Sequence, residues 1–96
     1  MIKVRNIINN NGNSIANQFE ISTAEGLIFQ SYNSIIAKIM NSGQVYLDEN
    51  YWDYSTTTGK YRNIFLLENK KETQAKIDSG EYILTNLNKK TEYNYE

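Results

Sequence analysis

Cysteine, histidine and proline are all missing from this chain of 96 residues. Without cysteine the chain has no disulfide and no thiol nucleophile. Without histidine it lacks the side chain most often used for acid–base catalysis near neutral pH and for binding zinc. These absences argue against most common enzyme chemistries. They predict a protein that is not an enzyme and needs neither a metal ion nor another cofactor.

Long hydrophobic runs are missing as well. No apolar stretch approaches the ~20 residues that a transmembrane helix needs, so we expect no membrane association. The first ten residues, MIKVRNIINN, are too few and too polar to resemble a secretory signal. The expected location is therefore the cytoplasm.

The residues that are present predict one small folded domain. Hydrophobic residues make up 40% and aromatic residues 12%, which is enough for a packed core. The formal net charge is −1, so the strongly basic footprint of a phosphate-backbone binder is absent. We predict a single domain over residues 1–88, followed by a polar tail over residues 89–96.

Alternation of apolar and polar residues, broken by Asn- and Gly-rich turns, indicates a series of strands. The segment Ser34–Met40 (SIIAKIM) is ambiguous. It fits a strand with Ile35, Ala37 and Ile39 inward, which we favour, or a short helix capped by Asn33 or Ser34. The other strands are predicted over residues 2–8, 14–23, 27–32, 44–47 and 81–87.

Two short helices are predicted between the last two strands. Ser55 or Thr56 can cap the first, whose buried face would carry Tyr61, Ile64 and Phe65 at i, i+3 and i+4. Gly59 inside it costs ~1 kcal/mol relative to alanine, which suggests that another group approaches the backbone closely there.

The second helix is predicted from a capping box, Asn69 with Glu72, and runs through Asp78 to a left-handed turn at Gly80. The resulting fold class is α+β. It consists of an antiparallel, meander-like sheet of five to six strands with two short helices near the C-terminal half.

The stretch Tyr51–Leu67, YWDYSTTTGKYRNIFLL, holds the only tryptophan and three of the eight tyrosines. Its carboxylate Asp53, like the pair Asp48 and Glu49, has no partner at a spacing typical of catalysis. Asp53 is better explained as a group that binds nearby backbone amides. Together with two residues of the third strand, this stretch gives our candidate binding residues: Gln30, Tyr32, Trp52, Asp53, Tyr54, Lys60, Tyr61 and Arg62.

Three interpretations of this set remain open. Tryptophan, tyrosine and arginine are the usual anchors of protein interfaces, and the chain could also pair with a second copy of itself. Aromatic rings beside cations also suit single-stranded nucleic acid, with Lys70, Lys71 and Lys76 extending a basic strip. The alternative to both is that Trp52 and Tyr61 are core residues and the lysines a solvated helix face.

Four sequence blocks resemble a family of small proteins of bacteriophages and mobile elements of low-GC bacteria. They are ANQFEI, FQSYNSIIAKI, YWDYSTTTGKYRNIFL and SGEYILTNLN, of which the pattern WDYSxTTGKYRNxFL is the most specific. The family is a domain of unknown function, so the resemblance supplies no catalytic residues. It implies a non-enzymatic phage protein in the host cytoplasm. By analogy of genomic setting, it would inhibit a host defence system, as anti-CRISPR proteins do, by contacting a host protein such as a defence nuclease complex.

Overall fold

The order of elements follows the sequence patterns closely. A computed structural model describes residues 2–89, so most of the predicted tail lies outside the described residues. Five strands come first, two helices follow, and a sixth strand ends the described fold. The strands are β1 Lys3–Ile8, β2 Ser14–Thr23, β3 Gly26–Ser31, β4 Ser34–Met40, β5 Val45–Asp48 and β6 Tyr82–Thr85, and the helices are α1 Thr56–Leu66 and α2 Lys70–Asp78.

The six strands form one sheet in the order β1-β2-β3-β4-β5-β6. Strands β1 to β5 are an antiparallel meander, whereas β6 runs parallel to β5. The sheet is therefore mixed, and the prediction of a purely antiparallel sheet was wrong. The reason is the connection: parallel neighbours need a long crossover, usually helical, and α1 and α2 supply it here.

The ambiguous segment Ser34–Met40 is strand β4, as favoured from the sequence. The first residue of β3, Gly26, lies so close to β4 that a side chain there would collide with the backbone oxygen of Ile39. The register shifts at Ile36, which places Ile36 and Ala37 together on the buried face. Ile35 pairs with Gln30 on the opposite face, so the prediction that Ile35 points inward was wrong.

Both helices pack on one face of the sheet and enclose the core there. The Phe29 ring of β3 lies 5.7 Å from the Phe65 ring of α1, measured between centroids. A second register shift, in β1, turns Ile7 onto this same face. The buried apolar residues are Ile7, Phe29, Ile36, Ala37, Val45, Leu47, Tyr61, Leu66 and Tyr82.

Local signals set the ends of the helices. Ser55 caps α1 by accepting a hydrogen bond from the Thr58 amide, and Asn69 and Glu72 form the predicted capping box on α2. Gly80 follows α2 in the left-handed conformation, at φ 84°. Neither helix in the described part of the chain is long and apolar enough to cross a membrane.

Asp48 is the last residue of β5 and is fully buried. It accepts hydrogen bonds from the loop that follows β5 and from the segment that follows β6. One carboxylate oxygen accepts the amides of Asn50 and Tyr51, and the other accepts the amide of Leu87 after β6. A buried carboxylate is tolerated when hydrogen bonds replace its water. Asp48 is thus a structural residue that joins β5, the following loop and the end of β6.

We expect Asp48→Ala to lower the free energy of unfolding by about 3 kcal/mol, because three backbone amides lose an anionic acceptor. Urea denaturation followed by circular dichroism measures this. Glu49→Ala removes a neighbouring, exposed carboxylate and should change the free energy by less than about 0.5 kcal/mol. Equal effects of the two substitutions would contradict the structural role of Asp48.

A second buried carboxylate, Glu68, fastens α2 to β6. It accepts hydrogen bonds from the Lys76 ammonium at 2.7 Å, the Thr73 hydroxyl at 2.6 Å and the Tyr82 hydroxyl at 2.9 Å. Burial raises the pKa of Glu68, but these donors outweigh burial and hold the pKa below its ordinary value of 4.5. Glu68 therefore stabilises the fold in its ionised form.

The hydrogen bonds to ionised Glu68 predict that the free energy of unfolding decreases at acidic pH. Because the pKa of Glu68 is lower in the folded chain, the unfolded chain takes up this proton first as the pH falls. The contribution is complete above about pH 5 and is lost as the pH falls through the folded pKa. We expect Glu68→Gln to destabilise the protein by about 2 kcal/mol at pH 7 and by less at pH 3. Denaturation at both pH values tests this; an effect independent of pH, or one matched by exposed Glu81→Gln, would contradict it.

Candidate functional site

The candidate site is built around Arg62, the largest fully buried side chain of the described residues, with 1% of its surface exposed. One guanidinium nitrogen donates to the Trp52 carbonyl at 2.6 Å and to the Asp53 carboxylate at 3.3 Å. The second terminal nitrogen donates to the Asn63 side chain at 3.0 Å, whereas Nε has no hydrogen-bond partner among the described residues. A buried cation is stable only with such partners, so Arg62 fixes the loop before α1 onto the helix.

Aromatic and acidic groups complete this arrangement. The Trp52 ring lies 5.1 Å from the guanidinium carbon of Arg62, which is a cation–π distance. Asp53 also accepts the Lys70 ammonium at 2.7 Å. Burial raises the pKa of Asp53, but hydrogen bonds from Lys70 and Arg62 and their charges outweigh burial and hold it below the ordinary value. Asp53 is therefore an ionised bridge between α1 and the start of α2.

A shallow depression of about 620 Å³ opens beside this network. It contains three cationic side chains, Lys60, Arg62 and Lys70, and one carboxylate, so its lining carries a net charge of +2. The N-terminal end of α1 lies at its edge and has no acidic residue in its first turn. The depression is lined by Asp53, Ser55, Thr56, Gly59, Lys60, Arg62, Asn63 and Lys70.

Gly59 widens the depression but is not demanded by a close contact. A Cβ there would lie 3.7 Å from a guanidinium nitrogen of Arg62, which is an ordinary contact distance. The close backbone approach expected at Gly59 is therefore absent. Glycine leaves room above the guanidinium instead.

The predicted site residues separate into three groups. The first group is at least partly exposed and consists of Tyr32, Trp52, Asp53, Tyr54 and Lys60. Tyr54 is 67% exposed, and its ring lies against the ring of Tyr51 at 5.4 Å, in an edge-on arrangement. Lys60 is exposed and Trp52 is partly buried. Tyr32 is 55% exposed at the β3–β4 turn.

The second group, Tyr61 and Arg62, is buried and cannot serve as a contact surface in this conformation. Tyr61 belongs to the core, as its predicted helix face with Ile64 and Phe65 already indicated. The third group is Gln30, whose partners in the sheet place it on the face away from the helices. The structure thus brings together Trp52, Asp53 and Arg62 but not the whole predicted set.

Some residues near the site were missed from the sequence. Gln18 is buried, and neither the nitrogen nor the oxygen of its side-chain amide has a hydrogen-bond partner among the described residues. It pairs in register with Ser31, whose hydroxyl lies 3.2 Å from that of Thr58. The left-handed Asn17 precedes Gln18 and breaks the alternation of β2. Because glutamine is mostly an exposed residue type, nothing in the sequence signalled the burial of Gln18.

The described residues 2–89 contain no group of three or more acidic side chains that could hold a metal ion. The basic strip is also shorter than predicted, because Lys76 turns to Glu68 and Lys70 to Asp53. What the arrangement offers chemically is a mildly basic depression whose lining residues Asp53 and Ser55 flank exposed Tyr54 in the sequence.

Comparison with known proteins gives a family without an assigned activity. The model of a family of unknown function (DUF8033) matches residues 2–81. No curated protein and no solved structure matches the chain.

We expect Arg62→Lys to lower the free energy of unfolding by about 3 kcal/mol, because lysine cannot reach Trp52, Asp53 and Asn63 together. The same change at Arg5, which is exposed and pairs with Glu20, should cost less than about 0.5 kcal/mol. Urea denaturation followed by the emission of Trp52, the only tryptophan, measures both. A similar small effect at the two positions would contradict the proposed role of Arg62.

Proposed function

The chain belongs to the family of unknown function DUF8033, and we propose that it is a non-enzymatic binding protein of a bacteriophage or mobile element. It would act in the host cytoplasm by occupying a surface of a host protein and thereby inhibiting a host defence system. The observation that supports binding is the net-positive depression, whose lining residues Asp53 and Ser55 stand on either side of exposed Tyr54 in the sequence.

The residue types at this end of the sheet suit a protein interface. Tyrosine and tryptophan are frequent anchors of interfaces. Exposed Tyr54 and partly buried Trp52 flank Asp53 in the sequence, and Asp53 lines the depression together with Lys60. Binding costs less when the surface is already ordered, and Arg62 orders this one from within. A preformed patch of exposed tyrosine and lysine is therefore the candidate contact surface.

The charge of the depression indicates the chemistry of the partner. Three cations face one carboxylate, and the first turn of α1 adds the partial positive charge of a helix N-terminus. An acidic patch on the partner would complement this lining. The link to host defence rests on the resemblance to phage and mobile-element proteins rather than on the geometry.

Single-stranded nucleic acid is the second candidate ligand. Exposed Tyr54 follows Asp53 of the depression in the sequence, and Lys60 and Lys70 line that depression, so this end of the protein offers a ring and cations. Two observations weaken this candidate relative to a protein partner. The burial of Tyr61 and Arg62 removes one ring and one accessible cation from the predicted set, and the chain as a whole carries a net charge of −1.

The test uses the double variant Tyr54→Ala/Lys60→Glu, which changes only exposed side chains. In host cells that carry the inhibited defence system, we expect the wild-type protein to restore phage plating and the double variant to lose this effect. Affinity for the purified host target should fall at least about tenfold. Lys3→Glu makes the same charge change at an exposed position on β1 and should have no effect.

Thermal melts must show that both variants fold like the wild type. A wild-type protein that leaves phage interference unchanged and recovers no specific host partner would contradict the proposal. Titration of labelled single strands at low salt separates the second candidate. Binding that disappears in the double variant would favour nucleic acid, and no binding even at low salt removes that candidate.

A further inference from the structure

The sheet face opposite the helices carries a row of mostly apolar side chains across all six strands. Direct pairing places these residues side by side on that face, since paired residues of neighbouring strands share a face. None of them belongs to the core cluster or packs against it. The row consists of Val4, Ile21, Ile28, Lys38, Tyr46 and Ile83.

A second row lies beside the first on the same face. It consists of Asn6, Phe19, Gln30 and Ile35. Both helices pack on the other side of the sheet, so no helix of the described residues covers these two rows. Val4 and Ile83, on the two edge strands, are 60% and 42% exposed, and the residues of the rows between them are partly exposed. With about 4.8 Å between strands, the open face is about 24 Å wide between its outer strands.

Lys38 is the only charged residue in the two rows, and it makes no ion pair within residues 2–89. The other polar residues behave differently. The amide nitrogen of Asn6 donates to the Ile15 carbonyl, and that of Gln30 donates to the Tyr32 carbonyl. The side-chain amides of Asn6 and Gln30 therefore donate hydrogen bonds within the chain, whereas the Lys38 ammonium at the centre of the face makes no ion pair within residues 2–89.

We infer that this open face docks a second protein whose contact surface is apolar and presents one carboxylate to Lys38. Tyr46 and Phe19 are aromatic residues of the kind that anchor interfaces. An interface of standard size buries about 800 Å² per partner, and the two rows would form the centre of such a patch. The carboxylate would supply the anion that the face lacks.

The charge of Lys38 argues against two other kinds of partner for this face. A second copy of this chain, packed face to face, would bury two ammonium groups without an anion, which is unfavourable. A nucleic acid needs several cations to neutralise its phosphates, and this face offers one. An apolar protein surface with a matching carboxylate satisfies both the area and the charge.

This surface is independent of the depression beside α1, because the two lie on opposite sides of the sheet. Tyr54→Ala/Lys60→Glu should therefore leave docking on the open face intact. The variant Tyr54→Ala/Lys60→Glu therefore distinguishes a failure of the proposed inhibitory function from a failure of docking on the open face.

The experiment places a photoreactive benzoylphenylalanine at Ile28 of the full chain in cells of its native host. Position Lys71, exposed on α2, serves as the control site. The protein cross-linked from position 28 but not from position 71 is identified, purified and titrated against the wild type and Lys38→Glu. We expect Lys38→Glu to weaken binding at least about tenfold. Converting the contacting carboxylate of the partner to lysine should restore the affinity of Lys38→Glu.

Lys71→Glu is the matched control and should stay within about twofold of the wild type. Lys38→Gln, an uncharged variant, provides a second measurement if Lys38→Glu fails to fold by circular dichroism, and it should weaken binding in the same direction. Cross-linking to another copy of the chain with a dimeric mass in sedimentation would overturn the inference. So would binding of single strands that Lys38→Glu abolishes, the absence of a cross-link specific to position 28, or an affinity that neither variant changes.

Discussion

The burial of one cation, Arg62, constrains the end of the molecule where the candidate site lies. A guanidinium removed from water must find acceptors, and it finds them in the Trp52 carbonyl, Asp53 and Asn63. Two of these acceptors lie in the loop that leaves β5, so the loop can take only positions that satisfy the cation. Asp53 then reaches Lys70 and sets where α2 begins relative to α1. The shape of the depression is a consequence of this single buried charge.

Local chemistry in the sequence was enough to predict the elements but not their partners. The Ser55 cap, the Asn69–Glu72 capping box and the strand over Ser34–Met40 depend on a few neighbouring residues, and the structure has all three, although the alternation within that strand is broken at Ile36. The direction of β6 depends on where a crossover of more than thirty residues returns to the sheet, which no local pattern contains. The register shift at Ile36 was missed for a related reason, because a bulge is defined by the opposing strand.

At the candidate site, too, the sequence identified the residues but not which of their side chains are buried. Aromatic and cationic residues are frequent both in interfaces and in satisfied interiors, so the stretch Tyr51–Leu67 was recognisable but its orientation was not. For Tyr61 the helical spacing with Ile64 and Phe65 was the better guide, and it indicated the core. For Arg62 no sequence signal distinguished burial from exposure. The acceptors that make its burial favourable come partly from backbone geometry.

Within residues 2–89 a single layer of helices leaves one face of the sheet uncovered. A few charged residues then limit which surfaces can bind that face or pair with the edge of the sheet. Lys3 and Arg5 lie on the edge strand β1, where charged side chains oppose pairing with another strand. Lys38 stands within the apolar rows, where it penalises contact with an identical surface more than contact with a surface that carries an anion. Each charge weakens association in general but weakens it least for a complementary partner. Selectivity in so small a protein can therefore arise from the position of single cations rather than from a deep pocket.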